Sequence, residues 1–247
     1  MKTSGNTILV TGGGSGIGRE MARWWHAHGN TVVVAGRTLS SLEETTDGAE
    51  NFHAMSFDVG DKADIARFAA EVTERFPSLN VLVNNAGILK YEDITAARDL
   101  TDAESTIATN LLGPIRLTDA LIAQLQSQSD AAIVNVTSGL AFVPMPAAST
   151  YSATKAALHS YTMSLRAKLA DSIEVIEVAP PAVQTNLTPG QSTREGYMPL
   201  ADFIAETMAQ FEGDSTPGEV LTTNVEFFRN AERDGNMDEA LAMTNSF

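Results

Sequence analysis

The chain has 247 residues, of which 16 are basic and 31 acidic, giving a formal charge of −15, and 43% are hydrophobic. That length fits one large α/β domain or two small ones, with enough apolar residues for a substantial core. The acidity argues against a nucleic-acid surface, which needs clustered Lys and Arg, and the lack of Cys excludes a disulfide framework, a thiol nucleophile and a Cys-rich metal site.

Thr7–Thr11 reads as a short buried strand running straight into Gly12-Gly-Gly-Ser-Gly-Ile-Gly18 and then a helical segment with Met21, Ala22, Trp24 and Trp25, closed by Gly29. Strand, glycine loop and helix open a dinucleotide fold. Glycines permit the tight turn, the backbone's approach to a pyrophosphate and close helix–strand packing, and the helix start offers N–H groups to the phosphates. The spacing is G-x-x-x-G-x-G rather than the general G-x-G-x-x-G.

Thr31–Ala35 is a second strand. An acidic residue near its end ordinarily holds the ribose 2′-hydroxyl; here Gly36 and Arg37 stand there. Without the carboxylate there is no repulsion against a 2′-phosphate, and a guanidinium can grip one, so NADP is the expected cofactor, with NAD possible.

Phe52–Phe57 reads as a third strand ending at Asp58 and Val59. Asp58 is placed either to bond an adenine amino group or to cap the following helix (residues 61–76), for which Gly60 and Asp61 are better positioned. Val81–Val83 is a fourth strand, followed at once by Asn84-Asn-Ala-Gly87, whose small residues let a ribose pass close to the backbone. A long helix over 102–126 contains Asn110 and Gly113-Pro114. Asn has no propensity reason to be inside a helix, and the Gly-Pro pair is expected to open the hydrogen bonding locally and expose Asn110 to a water.

Ala131–Thr137 is the fifth strand, leading to Ser138 and an apolar, proline-containing loop, Leu140–Pro146. The next helix, 151–170, carries Tyr151 and Lys155 one turn apart on one face. The ammonium favours the phenolate and is expected to lower the phenol's pKa from about 10, making Tyr151 a proton donor or acceptor near neutrality. Ile173–Ala179 is a sixth strand, ending in Pro180-Pro-Ala-Val-Gln-Thr185. The segment 188–198, rich in Gly, Pro, Ser and Thr, reads as a mobile lid, and 199–211, 218–232 and 237–244 read as helices.

The four His residues (His26, His28, His53, His159), with no H-E-x-x-H motif, give no expectation of a metal, and His26 and His28 are expected to face solvent. Met1–Val10 has one Lys and too short an apolar run for a signal peptide, and no stretch is long enough to span a membrane. A soluble, cytoplasmic protein is expected. Alternating strands and helices imply a doubly wound parallel sheet, with ligands at the strands' carboxyl ends, where Gly12, Arg37, Asp58, Asn84, Ser138 and Pro180 all fall.

These residues together resemble the short-chain dehydrogenase/reductase family, in its subgroup of chains of this length. The resemblance rests on Thr11–Gly18, Asp58, Asn84–Gly87, Asn110, Ser138, Tyr151 with Lys155, and Pro180 with Thr185, over roughly residues 5–190. It implies a single NAD(P)-binding Rossmann domain with strand order 3-2-1-4-5-6, to which the residues themselves add a substrate lid loop at 186–200 and a helical C-terminal tail at 201–247. It also implies a catalytic set of Asn110, Ser138, Tyr151 and Lys155. Tyr151 donates the proton in carbonyl reduction, Lys155 lowers its pKa and bonds the nicotinamide ribose, Ser138 polarises the substrate oxygen, and Asn110 holds a water linking Lys155 to solvent. The cofactor set is Gly12, Gly14, Ser15, Gly16, Ile17, Gly18, Arg37, Asp58, Val59, Asn84, Ala86, Gly87, Tyr151, Lys155, Pro180, Val183 and Thr185, the last two facing the carboxamide.

Two features depart from the family pattern. Pro180-Pro181 replaces Pro-Gly; with Val-x-Thr and Pro189-Gly-Gln it is similar to a branch of the family associated with lipoteichoic-acid D-alanylation, a label that carries no reaction. The tail reads as helical and polar and lacks the Asp-Gly-Gly ending of the usual seventh strand, which leaves that strand doubtful. The expected pocket wall is Ser138, Leu140, Phe142, Val143, Met145, Tyr151, Leu187, Tyr197 and Met198, with no Arg or Lys, which suits an uncharged carbonyl or secondary alcohol with a hydrophobic flank. A homodimer or homotetramer is expected. An extended epimerase or dehydratase would need a larger C-terminal domain. The alternative from another class is a catalytically silent nucleotide-binding sensor or scaffold.

Overall fold

A computed structural model describes residues 1–245, so the single-domain and tail assignments extend two residues beyond the described chain. Seven strands alternate with helices: β1 (Thr7–Thr11), α1 (Gly16–Ala27), β2 (Thr31–Gly36), α2 (Leu39–Thr46), β3 (Phe52–Ser56), α3 (Lys62–Arg75), β4 (Val81–Asn84), α4 (Thr101–Ile107), α5 (Gly113–Gln126), β5 (Ala132–Val136), α6 (Ser149–Leu169), β6 (Glu174–Ala179), α7 (Leu200–Phe211), β7 (Glu219–Leu221), α8 (Thr223–Asn230) and α9 (Met237–Thr244). All strand pairs are parallel, in the order β3-β2-β1-β4-β5-β6-β7.

Alternate strand residues pack against two helical layers. Ile8, Val10, Val32 and Val34 meet Met21 and Trp25 of α1, Leu42 of α2 and Phe203, Met208 and Phe211 of α7. Leu9, Val33, Leu82 and Ile133 meet Ile65, Phe68 and Val72 of α3, Leu117, Leu121 and Leu125 of α5, and Leu169 of α6. A sheet covered on both faces must be apolar on both, which explains the short unbroken runs such as Ile8-Leu9-Val10.

The structure decides the seventh strand, adds a helix and corrects the reading of one histidine. The sheet has a seventh strand: Glu219–Leu221 pairs with Glu177–Ala179. Three residues are too few to show a period, and the helical pattern of α8 directly after them absorbed the signal. The helix α2 carries little local signal, because Leu39–Thr46, with two serines and two threonines, has weak propensity; it forms because Leu42 is fully buried against the sheet. His26 does not simply face water: its ring stacks on Phe52 at 4.6 Å.

The long helix expected over 102–126 is broken, as Gly113-Pro114 implies. Residues Ala108–Leu112 form one π turn between α4 and α5, with the Gly113 amide reaching back to Ala108 O. Pro114 has no amide to offer, and a Cβ on Gly113 would stand 2.8 Å from both Val59 Cγ2 and Val59 O. The π turn widens the backbone where Asn110 points inward.

Candidate active site

At the carboxyl ends of β1 to β6 lies a cleft of about 610 Å³. Its floor is the glycine turn. Gly12 has φ of 67°, and a Cβ there would sit 2.9 Å from Ala86 Cα; one on Gly18 would sit 2.5 Å from Gly12 O. The missing side chains let the turn after β1 lie directly on the loop after β4. Thr11 fastens the two together, its hydroxyl donating to Val83 O at 3.2 Å and accepting from the amides of Asn85 and Ala86, both at 3.0 Å. Ser15 precedes α1 without a side-chain capping bond, so the first amides of that helix are left for an anion in the cleft.

Gly12, Gly14, Ser15, Gly16, Ile17 and Gly18 line the cleft, as do Arg37, Asp58, Val59, Ala86, Gly87, Pro180, Val183 and Thr185. The Asp58 carboxylate accepts from the Gly60 amide at 2.8 Å, and the helix cap falls to Asp61, which accepts from Ala63 and Asp64. Asn84 stands apart. It is buried, and its amide donates to Asn135 Oδ1 at 2.9 Å and Thr118 Oγ1 at 3.2 Å; the neighbouring Asn85 lines the cleft instead. Period-two alternation puts consecutive residues on opposite faces, and the strand extends through Asn84.

Ser138, Tyr151 and Lys155 meet on the cleft wall. Lys155 is only 4% exposed; its Nζ donates to Val136 O at 2.8 Å and lies 5.6 Å from the centroid of the Tyr151 ring. Asn110 is fully buried behind them. Its side chain is spent on Ile88, accepting from the amide at 2.9 Å and donating to the carbonyl at 2.8 Å. Gly87 connects the groups: a Cβ there would be 3.4 Å from Asn110 Oδ1 and 3.7 Å from Lys155 Nζ.

The electrostatics depart from the sequence expectation. Burial pushes the Tyr151 phenol up to about 12, although its hydrogen bond with Ser138 pulls the other way. Burial pushes the Lys155 ammonium down to about 8, opposed by the charge of Glu177. Desolvation dominates both groups, and Lys155 spends a proton on the Val136 carbonyl rather than on the phenol. In the protein alone Tyr151 is a held proton, which is the form that carbonyl reduction consumes.

The wall also differs from expectation. Phe142 and Val143 pack with Ala231, Ala240, Phe228 and Leu241 of the C-terminal region, while Leu140 and Met145 back the Tyr151 ring. Ile88, Leu89 and Tyr91 join Leu187 at the cleft instead, together with Lys90. Beside these apolar residues the wall therefore also holds the Lys90 ammonium, which lies 3.9 Å from Asp102. The segment after Thr185 is tied down: Met198 N donates to Ala182 O and Gln184 N to Met198 O, both at 2.8 Å, and buried Gln191 donates to Val183 O at 2.8 Å. Gln191 belongs to the Pro189-Gly-Gln run noted in the sequence, but its role in fixing the loop was not legible, since nothing in the run shows that its side chain turns inward.

A wound sheet with a phosphate-cradling turn and a Tyr–Lys pair on its carboxyl edge defines a dinucleotide-dependent oxidoreductase. The family model described as short chain dehydrogenase matches residues 6–196, and the chain belongs to the short-chain dehydrogenase/reductase family. It is 39% identical over 237 residues to the "uncharacterized oxidoreductase DltE" of Bacillus subtilis (strain 168), covering 94% of each chain. Among solved structures, a short-chain dehydrogenase from Burkholderia cenocepacia in complex with NADP superposes with a TM-score of 0.83 at 24% identity, covering 98% of this chain and 99% of that one. A relative from Burkholderia phymatum in complex with NAD does so with a TM-score of 0.83 at 21% identity, covering 96% of each. The protein is an NAD(P)-dependent dehydrogenase/reductase acting on CH–OH groups.

Proposed function

We propose that the protein reduces an uncharged carbonyl flanked by hydrophobic groups, with NADPH as the preferred cofactor, and oxidises the corresponding secondary alcohol in reverse. The observation that carries this is the convergence of Ser138, Tyr151 and Lys155 on the wall that the glycine turn and Arg37 also line. The glycine cradle and the uncapped start of α1 fit a dinucleotide; Arg37, exposed after β2, fits a 2′-phosphate. The bound nicotinamide supplies the hydride. Ser138 and Tyr151 present hydroxyl donors to the substrate oxygen, and Tyr151 gives up its proton as the alkoxide develops. Lys155 places positive charge beside the phenolate left behind. Leu89, Tyr91 and Leu187 supply the apolar flank, and residues 186–200 act as its lid; Asp102 offsets the charge of Lys90.

The test is a panel of aryl ketones and aldehydes with each cofactor, followed by nicotinamide absorbance. Turnover that is more efficient with NADPH than NADH, and loses that preference in Arg37→Ala, is expected. Efficiency with NADH equal to or above that with NADPH would overturn the cofactor preference. A silent sensor would bind nucleotide without turnover and be indifferent to Tyr151→Phe; the presence of Asn110, Ser138, Tyr151 and Lys155 together speaks against it. The apolar residues Ile107 of α4 and Met163 of α6, 39% and 48% exposed, favour self-association through these helices. A dimeric or tetrameric mass by light scattering at micromolar protein is expected, and a monomeric mass would contradict it.

A further inference from the structure

Behind the catalytic pair lies a buried carboxylate that the reaction described above does not use. Glu177 sits in the middle of β6, fully buried, between Asn135 of β5 and Glu219 of β7 in register. An ionised carboxylate in a covered sheet is costly unless every oxygen is partnered. Here both are: one accepts from Thr137 Oγ1 at 2.6 Å and the other from His159 Nδ1 at 2.8 Å. Tyr151, Lys155 and His159 occupy successive turns of one face of α6, so the carboxylate closes the row at its inner end.

Thr137 links Glu177 to the catalytic wall. It stands between Val136, whose carbonyl takes the Lys155 proton, and Ser138, and its own amide is fixed on Val178 O at 2.8 Å. One carboxylate thus anchors the residue joining the lysine's acceptor to the serine. We propose that Glu177 is a positioning residue for the Tyr151–Lys155 pair: oriented by His159, it holds the Val136–Ser138 backbone through Thr137 and supplies the buried anion that faces the Lys155 ammonium.

The groups around Glu177 fit that role. Lys155, His159 and Arg166 come from α6, Glu219 from β7 and Arg229 from α8. His159, Glu177 and Glu219 present ligand atoms within 4.8 Å of one another, a spacing that would suit a cation. The place is taken by protein: Arg229 grips Glu219 through two bonds of 2.7 and 3.0 Å, and Arg166 lies near enough to act on the same carboxylate. The charge of Glu177 acts on Lys155 in the direction that keeps it protonated, and on Arg229 likewise.

The inference rests on the reading of Tyr151 and Lys155 as the proton-transfer pair, and Glu177→Gln in the full chain tests it. Removing a buried negative charge lets the pair lose its proton at lower pH. The alkaline limb of kcat/KM for carbonyl reduction is therefore expected to move down by about one pH unit, the low end for a close charge pair. Glu177→Asp keeps the charge but withdraws it by one methylene; it is expected to shift the limb less and to lower kcat several-fold as Ser138 is displaced. A folded Glu177→Gln variant with an unmoved limb would overturn the proposal. If Gln does not fold, an Asp variant matching wild type in both limb and kcat would overturn it. Tyr151→Phe separates the two readings: if it is inactive while Glu177→Gln leaves the limb unmoved, only the role of Glu177 falls, whereas an active Tyr151→Phe removes the reading beneath both.

Discussion

At the scale of the residue, desolvation sets the resting charge of the site. Lys155 is held near 8 in the fold against 10.5 in the open. Between those values the folded chain binds fewer protons than the unfolded one, so folding strengthens as pH rises through that window. The gain is on the order of 3 kcal/mol at 1.36 kcal/mol per unit. Tyr151 acts oppositely, its raised pKa costing stability above pH 10, so the clean interval is pH 8 to 10. Denaturant midpoints across it are expected to rise for the wild type relative to Lys155→Met; parallel curves would contradict the burial argument. The Tyr-x-x-x-Lys spacing was readable as a pair on one helix face. The sign of the phenol's shift was not, because spacing along a helix says nothing about how much water the fold removes, nor that Val136 O competes for the ammonium.

At the scale of the element, two contacts hold α6 and its support. Ala148, preceding α6, provides no side-chain cap. Glu92, from the loop after β4, does so across the chain: its carboxylate accepts from the Thr150 amide and hydroxyl, both at 2.7 Å, and from Arg98 at 2.7 Å. Burial works to raise its pKa, but these bonds prevail and hold it below the usual range. A carboxyl depressed in the fold stabilises above its unfolded pKa and loses that contribution as pH falls through the folded value. Glu92→Ala is expected to destabilise by about 1–3 kcal/mol, and most of that difference is expected to vanish at acid pH; a constant difference would contradict it. Gly113→Ala, forced against Val59, is expected to cost about 1–3 kcal/mol in a chemical melt, and a neutral result would show that the π turn yields easily. Elements with a strong local signal were legible: the Gly12–Gly18 turn, the Gly113-Pro114 break and the apolar strand cores. Those whose existence depends on distant packing were not. Leu42 makes α2 a helix by docking on the sheet, and β7 is a strand because the edge of β6 is there to pair with. Phe142 and Val143 were misplaced for the same reason, since only the folded tail reveals their partners.

At the scale of the whole molecule, the parallel winding sends every β-to-α turn to one edge, and this is why residues from 12 to 185 share one cleft. That convergence follows from topology and was readable from the alternation of elements. Among the described residues no helix is long and apolar enough to cross a membrane. The depth at which each side chain sits was not readable: Asn84 and Asn110 stand behind the wall, and Lys90 and Tyr91 stand on it. The central claim is that Tyr151 delivers the proton while a nicotinamide in this cleft delivers the hydride. The most direct measurement compares wild type and Tyr151→Phe in NADPH-dependent reduction of the best ketone of the panel, with nucleotide affinity measured on the same samples. A loss of turnover of about 10²–10⁴-fold with nucleotide affinity little changed is predicted; a Tyr151→Phe variant reducing the ketone at close to the wild-type rate would contradict it.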